Sequence, residues 1–286
     1  MTNPSRGTVG FAAKAVSTAV LALVGTAMLP TAEASAAVVP DRVMTWNSNG
    51  QKLGTPESLA HQVRIFQPQV VALQESCATE VRKAVKLLNE QGFEYKFKIG
   101  PGTNNVGCDG WSVNGQAIIY AKGTQIQDYH EVAFSKDEGP WESRAYTTFT
   151  TRLAGHRVQV INTHLSAGGH RAAREQQIRE LLGAAKQYSR TLILGDFNAQ
   201  PGYSEMPPIW DARFTDVDPF CKKEKGRPKD PRCNGTHVNT GKKFDYILHR
   251  GVSSKNCTLR SVNEDHRVVV SDVSTAAGPR TPCRVI

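Results

Sequence analysis

The chain has 286 residues, 39% of them hydrophobic and 21% charged, with a formal net charge of +9. This composition supports one large domain or two small ones with a sizeable core, and it excludes an intrinsically disordered chain. The basic excess favours polyanionic partners such as nucleic acid or an anionic lipid surface, although it also serves simple solubility.

The first segment reads as a leader. Arg6 and Lys14 make a positive start, Ala15–Leu29 is an apolar run broken by small residues, and Ala34-Ser35-Ala36 supplies a small-x-small cleavage pattern. This is the layout of a secretory signal peptide over residues 1–36, followed by a single mature domain over 37–286. The run is short for a bilayer core of ~30 Å, and no second run of spanning length follows. The expectation is a secreted, extracellular monomer without stable membrane insertion. Six cysteines lie after the leader. An even number in an exported chain favours disulfides, and proximity pairs Cys221 with Cys233 and Cys257 with Cys283, leaving Cys77 with Cys108.

Beyond the leader, Val43–Trp46 reads as a short buried strand ending at Asn47. Thr55-Pro56 opens a helix, with Thr as N-cap and Pro at the first position, running to about Phe66. Gln69–Gln74 is a buried strand with Glu75 at its end. Val81, Val85 and Leu88 give helical spacing over Thr79–Leu88, and Gly92 is a stop signal. Gly100–Gly115 is rich in Gly, Asn and Pro and is expected to be an exposed loop. Gln116–Tyr120 is a strand. Thr147–Leu153 and Arg157–Asn162 flank a hairpin turn at Ala154-Gly155-His156, with His164 just beyond. Ala172–Tyr188 is a long helix with Ile178, Leu181 and Leu182 inward. Thr191–Leu194 is a strand leading into Gly195-Asp196-Phe197-Asn198. Pro219–Lys243 is basic and mostly loop, and Phe244–Leu248 and Arg267–Val273 are strands. Many strands with a few helices among them predict sheets packed together with helices outside.

Polar residues recur at strand ends: Asn47, Glu75, His164, Asp196, Asn198, Asp245, Asp265 and His266. Each has a bland reading of its own, as a turn residue, a solvated charge or a satisfied core histidine. Together they are the parts that phosphodiester cleavage needs. Carboxylates and amides hold a hard cation, a base takes a proton from water, and a histidine pairs with a carboxylate.

In order along the chain, Val43-Met44-Thr45-Trp46-Asn47, Gln69-Val70-Val71-Ala72-Leu73-Gln74-Glu75, Asn162-Thr163-His164-Leu165, Gly195-Asp196-Phe197-Asn198, Phe244-Asp245-Tyr246-Ile247-Leu248 and Asp265-His266-Arg267 resemble the motifs of the endonuclease/exonuclease/phosphatase superfamily. The likeness spans residues 43 to 270. It is similar to the pancreatic-type deoxyribonucleases, the B subunit of cytolethal distending toxin, bacterial sphingomyelinases and inositol-phosphate phosphatases. The resemblance implies a four-layered α/β/β/α sandwich with two packed, mostly antiparallel mixed sheets. It implies Mg²⁺ as cofactor, with Mn²⁺ or Ca²⁺ as alternatives, held by Glu75, Asn47 and Asp265. Asp196 would orient or deprotonate the attacking water, and Asn198 would hold the phosphate or the metal water. Asp245 would fix His266, and His164 would stabilise the phosphate charge or protonate the leaving oxygen. Arg144 resembles a phosphate-contacting arginine of the nuclease branch, its bland reading being a solvated surface arginine. The chain departs from the family pattern in having Glu264 before Asp265 and Arg267 after His266, which bears on local substrate contact and metal affinity.

Three functions compete. A nuclease acting on DNA is favoured by the charge and by the cluster Lys222, Lys223, Lys225, Arg227, Lys229, Arg232, Lys242 and Lys243, since phosphate contacts dominate nucleic-acid affinity. A phospholipid or phosphomonoester hydrolase would want an exposed aromatic hairpin for membrane insertion, and the sequence offers none. A non-catalytic binding protein retaining the fold is opposed by the intact carboxylate and histidine set.

Overall fold

The computed structural model describes residues 37–286 except 51–53, 104–107, 109–113, 139–142, 222–229, 263–264 and 279, together with Met1, Thr2, Gly7 and Gly10. Contacts divide the chain into Met1–Glu33 and Ala34–Ile286. Most of the expected leader, residues 104–107 and 109–113 of the expected Gly100–Gly115 loop, Glu264 and five of the eight basic residues named above (Lys222, Lys223, Lys225, Arg227 and Lys229) lie outside the described residues.

The first half holds β1 (Val39–Asn47), α1 (Pro56–Phe66), β2 (Pro68–Cys77), α2 (Ala78–Glu90), β3 (Tyr95–Thr103), β4 (Asn114–Ala121), β5 (Gln127–Ala133) and β6 (Ala145–Leu153). The second holds β7 (His156–His164), α3 (Arg171–Ala185), β8 (Thr191–Asp196), α4 (Pro207–Asp211), β9 (Thr215–Asp216), β10 (Asp245–Arg250), β11 (Ser253–Arg260), β12 (Val268–Ser274) and β13 (Arg284–Val285). One sheet runs β13-β11-β12-β1-β2-β4-β3 and the other β5-β6-β7-β8-β10-β9. The β1–β2, β7–β8 and β11–β13 pairs are parallel and the remaining pairs antiparallel. The fold is therefore α/β with two mixed sheets.

Strand alternation builds the layers. In β1 and β2, Met44, Trp46, Val71 and Leu73 face a core completed by Leu59 and Val63 of α1 and Val81, Val85 and Leu88 of α2. The alternate residues Val43, Val70 and Ala72 face Phe149, Val158, Val160, Leu192, Leu194 and Ile247 of the other sheet. Ile161, Ile193 and Leu248 turn the opposite way, onto Ile178 and Leu181 of α3 and Ile209 of α4. A period of two along each strand thus gives the order α/β/β/α. The helix starts follow local rules: Thr55 accepts from the Ser58 amide and Pro56 fills the first position of α1, as capping requires.

Some elements differ from expectation. Gly100–Thr103 is not loop but the end of β3, which pairs with β4 up to Thr103 and Asn114. Its glycines serve close approach, because a Cβ on Gly115 would meet the Gly102 Cα at 2.3 Å. The edge strand β5 shows no buried alternation, and β11 is polar over Ser253-Ser254-Lys255-Asn256. Neither carries the hydrophobic period that marks a strand. The hairpin between β6 and β7 turns through Ala154 and Gly155 alone, with Leu153 paired to His156. Three disulfides join Cys77 to Cys108, Cys221 to Cys233 and Cys257 to Cys283, the pairings that proximity suggested.

Candidate active site

Two of the three parallel pairs, β1–α1–β2 and β7–α3–β8, point their C-terminal ends to one rim of the sandwich. Asn47 ends β1, His164 ends β7 and Asp196 ends β8. The antiparallel β10 begins at the same rim, so that His164, Asp196 and Asp245 are register partners on three adjacent strands. Directly paired residues share a face, with Cβ atoms about 5 Å apart. Hydrogen bonding within the sheet therefore lays this row of side chains side by side. β12 runs antiparallel to β1, which brings Asp265 and His266, just ahead of β12, to the same edge.

Two local devices aim the remaining groups. β2 carries an extra residue between Leu73 and Ser76 in its pairing with β4, and Glu75 there has φ 49°. A bulge of this kind re-aims a side chain that strict alternation would bury. Gly195 has φ 139°, and a Cβ on it would meet the Thr163 carbonyl oxygen at 1.9 Å. Only glycine lets β8 lie against β7 at that point.

The side chains then interlock. Asn47 Nδ2 donates to Glu75 Oε1 at 2.9 Å and to Asp196 Oδ2 at 3.1 Å. His164 Nε2 lies 3.5 Å from Asp196 Oδ2 and 3.8 Å from Glu75 Oε1. The Asn198 amide N–H donates to Asp196 Oδ1 at 2.8 Å, and its Nδ2 lies 3.1 Å from His164 Nε2. His266 Nδ1 pairs with Asp245 Oδ2 at 2.8 Å, and its Nε2 lies 3.7 Å from both Asp196 Oδ2 and Asp265 Oδ1. Behind the rim, Gln74 Nε2 donates to Asn162 Oδ1 at 2.7 Å and to Thr45 Oγ1 at 3.1 Å, and Asn162 Nδ2 donates to the Leu73 carbonyl at 3.0 Å. This buried amide chain ties the two sheets together under the site. All eight strand-end residues predicted from sequence are thus at one rim.

Residues 44–272 match the Endonuclease/Exonuclease/phosphatase family. The chain belongs to that family. Its members are metal-dependent phosphoric ester hydrolases, of phosphodiesterase or phosphatase type. No curated protein sequence matches the chain. Among solved structures, the chain is similar to an endonuclease/exonuclease/phosphatase from Beutenbergia cavernae DSM 12333, with 19% identity and a TM-score of 0.67 over 82% of this chain and 71% of that one. It is similar to the human nocturnin catalytic domain with bound sulfate, with 18% identity and a TM-score of 0.63 over 83% of this chain and 95% of that one. It is also similar to D. rerio TDP2 complexed with single-strand DNA product, with 18% identity and a TM-score of 0.61 over 82% of this chain and 98% of that one. At these identities the likeness is one of fold.

For a member of this family, the donor set suits a hard cation. Glu75 and Asp265 present the more open carboxylates, at 35% and 23% side-chain exposure, while Asn47 turns its amide nitrogen to Glu75 and Asp196 and its Oδ1 to the Asn49 N–H at 3.2 Å. Oxygen donors of this type fit Mg²⁺ or Ca²⁺. Asp196 and Asp245 are buried and engaged by neighbours.

Electrostatics separates the two histidines. Burial, with the positive charges of Arg144 and His266 nearby, holds His164 well below its ordinary 6.5. Both its ring nitrogens face N–H donors, Arg144 Nη1 at 2.8 Å and Asn198 Nδ2 at 3.1 Å, so a doubly protonated ring is disfavoured. Burial also opposes charge on His266, but the carboxylates of Asp245, Asp196 and Asp265 outweigh it and push the ring up to about 10. Burial and the charge of Asp245 raise Asp196 to about 7, against the opposing pull of His266.

Arg144 is not a solvated arginine. Its side chain is 6% exposed and pairs with Glu138 at 2.8 Å while donating to His164 Nδ1, so it stands behind His164. Lys243 is likewise not a surface cation: it is fully buried in an ion pair with Asp216 at 2.9 Å. Arg232 pairs with Asp230 and lies over the Phe220 ring. Arg267 turns to Ser261 Oγ and the Gly235 carbonyl. Tyr120 packs against the core between the sheets.

Sequence reasoning missed several members of the site. Asn49 donates to Asp265 Oδ2 at 2.7 Å. Thr236 Oγ1 accepts from the Asp245 amide at 2.9 Å, and His237 Nε2 lies 3.1 Å from Asp265 Oδ1. Glu138 anchors Arg144 and also accepts from the Ala167 amide. All four lie in irregular segments with no periodic signal. Only the Asn47-Ser48-Asn49-Gly50 cluster of turn formers hinted at a shaped loop.

Proposed function

We propose that the protein is a secreted, divalent-metal-dependent phosphodiesterase that hydrolyses DNA by in-line attack of water. The observation that carries this reading is the meeting of Asn47, Glu75, His164, Asp196, Asn198, Asp245, Asp265 and His266 at one sheet rim. The net charge of +9 supports a polyanionic substrate, and a structural neighbour was solved with a single-strand DNA product. Three disulfides support an oxidising compartment and hence cleavage of a leader over residues 1–36. No described helix is long and apolar enough to cross a membrane, and we take the active form to be a monomer.

Glu75 and Asp265, with Asn47 through its Oδ1, would hold Mg²⁺, or Mn²⁺ or Ca²⁺ in its place, and the ion would supply charge neutralisation at the phosphate oxygens. The protein's own groups do the rest. Asp196, raised to about 7 by burial and by Asp245, is matched to accepting a proton near neutral pH. It takes the proton of the attacking water as the water oxygen bonds to phosphorus, while the bond to the leaving oxygen breaks, its electron pair stays on that oxygen, and the oxygen takes a proton from solvent. Asn198 orients Asp196 through its backbone N–H. His266, kept charged by Asp245, sets positive charge toward the phosphoryl oxygens. His164, neutral at pH 7, contributes a dipole, with the Arg144 cation behind it. His266 and His164 both lie within 3.7 Å of Asp196 Oδ2. All three therefore serve the attacking end and the equatorial oxygens, since in-line geometry puts the leaving oxygen on the far side of phosphorus.

The test is incubation of the purified mature protein with supercoiled DNA, RNA and sphingomyelin, each with Mg²⁺ or with a chelator. Chelator-sensitive nicking of DNA alone is the expected result. Lipid turnover without nicking would select a phospholipid or phosphomonoester hydrolase, and inactivity on all three would select a binding protein. His164→Ala and His266→Ala are each expected to lower the rate by about 10²–10³ with circular dichroism unchanged; normal turnover by either folded variant removes that residue from the mechanism.

A further inference from the structure

His237 has no part in the reaction described above, yet it faces the same carboxylate and imidazole as the site. Its Nε2 lies 3.1 Å from Asp265 Oδ1, and the Nε2 of His266 lies 3.7 Å from that same oxygen. One ligand atom from each of His237, Asp265 and His266 falls within 4.8 Å of the others. The two rings meet edge to face, with centroids 5.0 Å apart.

We propose that His237, Asp265 and His266 form a site for a transition-metal dication of zinc type, and that its occupancy inhibits hydrolysis by engaging His266. The inhibitory half rests on the proposed role of His266. Two imidazoles and one carboxylate suit zinc and its neighbours, whereas Mg²⁺ prefers oxygen ligands throughout. The supporting shell is already built. His266 Nδ1 is held by Asp245 at 2.8 Å, His237 Nδ1 by the Thr240 hydroxyl at 3.1 Å, and Asp265 Oδ2 by Asn49 Nδ2 at 2.7 Å. Metal-binding histidines characteristically have the far nitrogen engaged in this way, which leaves Nε2 for the ion. The backbone holds the ligands in register: His237 and His266 form a β-bridge, and the Val238 amide donates to the Asp265 carbonyl at 2.7 Å. Partial exposure of His237 and Asp265, at 20% and 23%, gives an ion a way in.

The experiment is calorimetric titration of ZnCl₂ into the metal-stripped, full-length chain without Mg²⁺, since Asp265 is also a proposed Mg²⁺ ligand and saturating Mg²⁺ would compete for it. Wild type is expected to take up one zinc. His237→Gln should lose measurable uptake, and Thr240→Val, which alters only the hydroxyl beside His237 Nδ1, should bind about tenfold more weakly. Thr240→Val keeps the test decisive if His237→Gln does not fold. In parallel, Mg²⁺-dependent nicking by wild type should fall over the zinc concentrations that fill the site. His237→Gln, measured against its own zinc-free rate, should withstand at least about tenfold more zinc. Absence of zinc uptake by wild type, or wild-type affinity in both variants, overturns the site. Uptake without loss of nicking overturns the inhibition. If the protein nicks no DNA at all, the nuclease reading fails by itself and the calorimetry alone decides the metal site.

Discussion

Two histidines share one carboxylate neighbour, Asp196, yet His164 is neutral and His266 charged. His164 has burial and the Arg144 cation against its proton, while His266 has burial opposed by Asp245, Asp196 and Asp265. The count of carboxylates on each side decides the sign. In the metal-free protein, His266 is therefore expected to titrate near pH 10 by NMR, and Asp245→Asn should bring it down toward 6.5. The linkage has a definite direction. Because the folded value lies above the unfolded one, His266 contributes stability that is complete below about pH 6.5 and is lost as pH rises through about 10. A denaturation series whose wild-type and His266→Gln curves stay parallel from pH 6 to pH 10.5 would refute this. Arg144 makes a second residue-scale case. Replacing it with Met leaves the partly buried Glu138, at 12% side-chain exposure, without its cation, and the expected loss is about 2–4 kcal/mol in urea unfolding. A loss below about 1 kcal/mol would place the pair in the class of surface ion pairs.

At the scale of elements, the site depends on departures from regular strand structure. β2 needs its bulge to turn Glu75 out at the rim, and β8 needs Gly195 to pass Thr163. Gly195→Ala sets a Cβ 1.9 Å from a backbone carbonyl, where no flexible side chain can yield. The expected effect is about 4 kcal/mol of destabilisation or failure to accumulate folded protein, read by thermal melting and soluble yield. Ordinary stability would show that the two strands can separate without loss. The elements legible in the sequence were those with buried apolar residues: β1, β2, β4, β6, β7, β8, β10, β12, α1, α2 and α3 all bury one or both faces, and the hydrophobic pattern reports burial. β3 was obscured by Gly100 and Gly102, which read as loop residues although they serve backbone contact. β5 and β11 are edge or half-exposed strands, held by hydrogen bonds that leave no mark on side-chain type.

At the scale of the whole molecule, one disulfide braces a segment that feeds the rim. Cys77 lies two residues past Glu75 and closes onto Cys108, 31 residues away. The Cys77→Ser/Cys108→Ser double variant is expected to lose about 2–5 kcal/mol, and to lose activity at temperatures where it is still folded, because the end of β2 is freed. Full activity of the folded double variant would show that the bulge holds Glu75 unaided. The sequence alone determined that this is a family member of α/β type and named the eight polar strand-end residues, because motif order and buried strands are properties of the linear chain. It did not determine that His164, Asp196 and Asp245 would be neighbours in one row, that Arg144 and Lys243 would be buried in ion pairs, or that Asn49 and His237 would join the rim. Those facts depend on strand register and loop paths between residues far apart in the chain. Only the folded structure sets which charges share a low-dielectric edge, and with that their proton affinities.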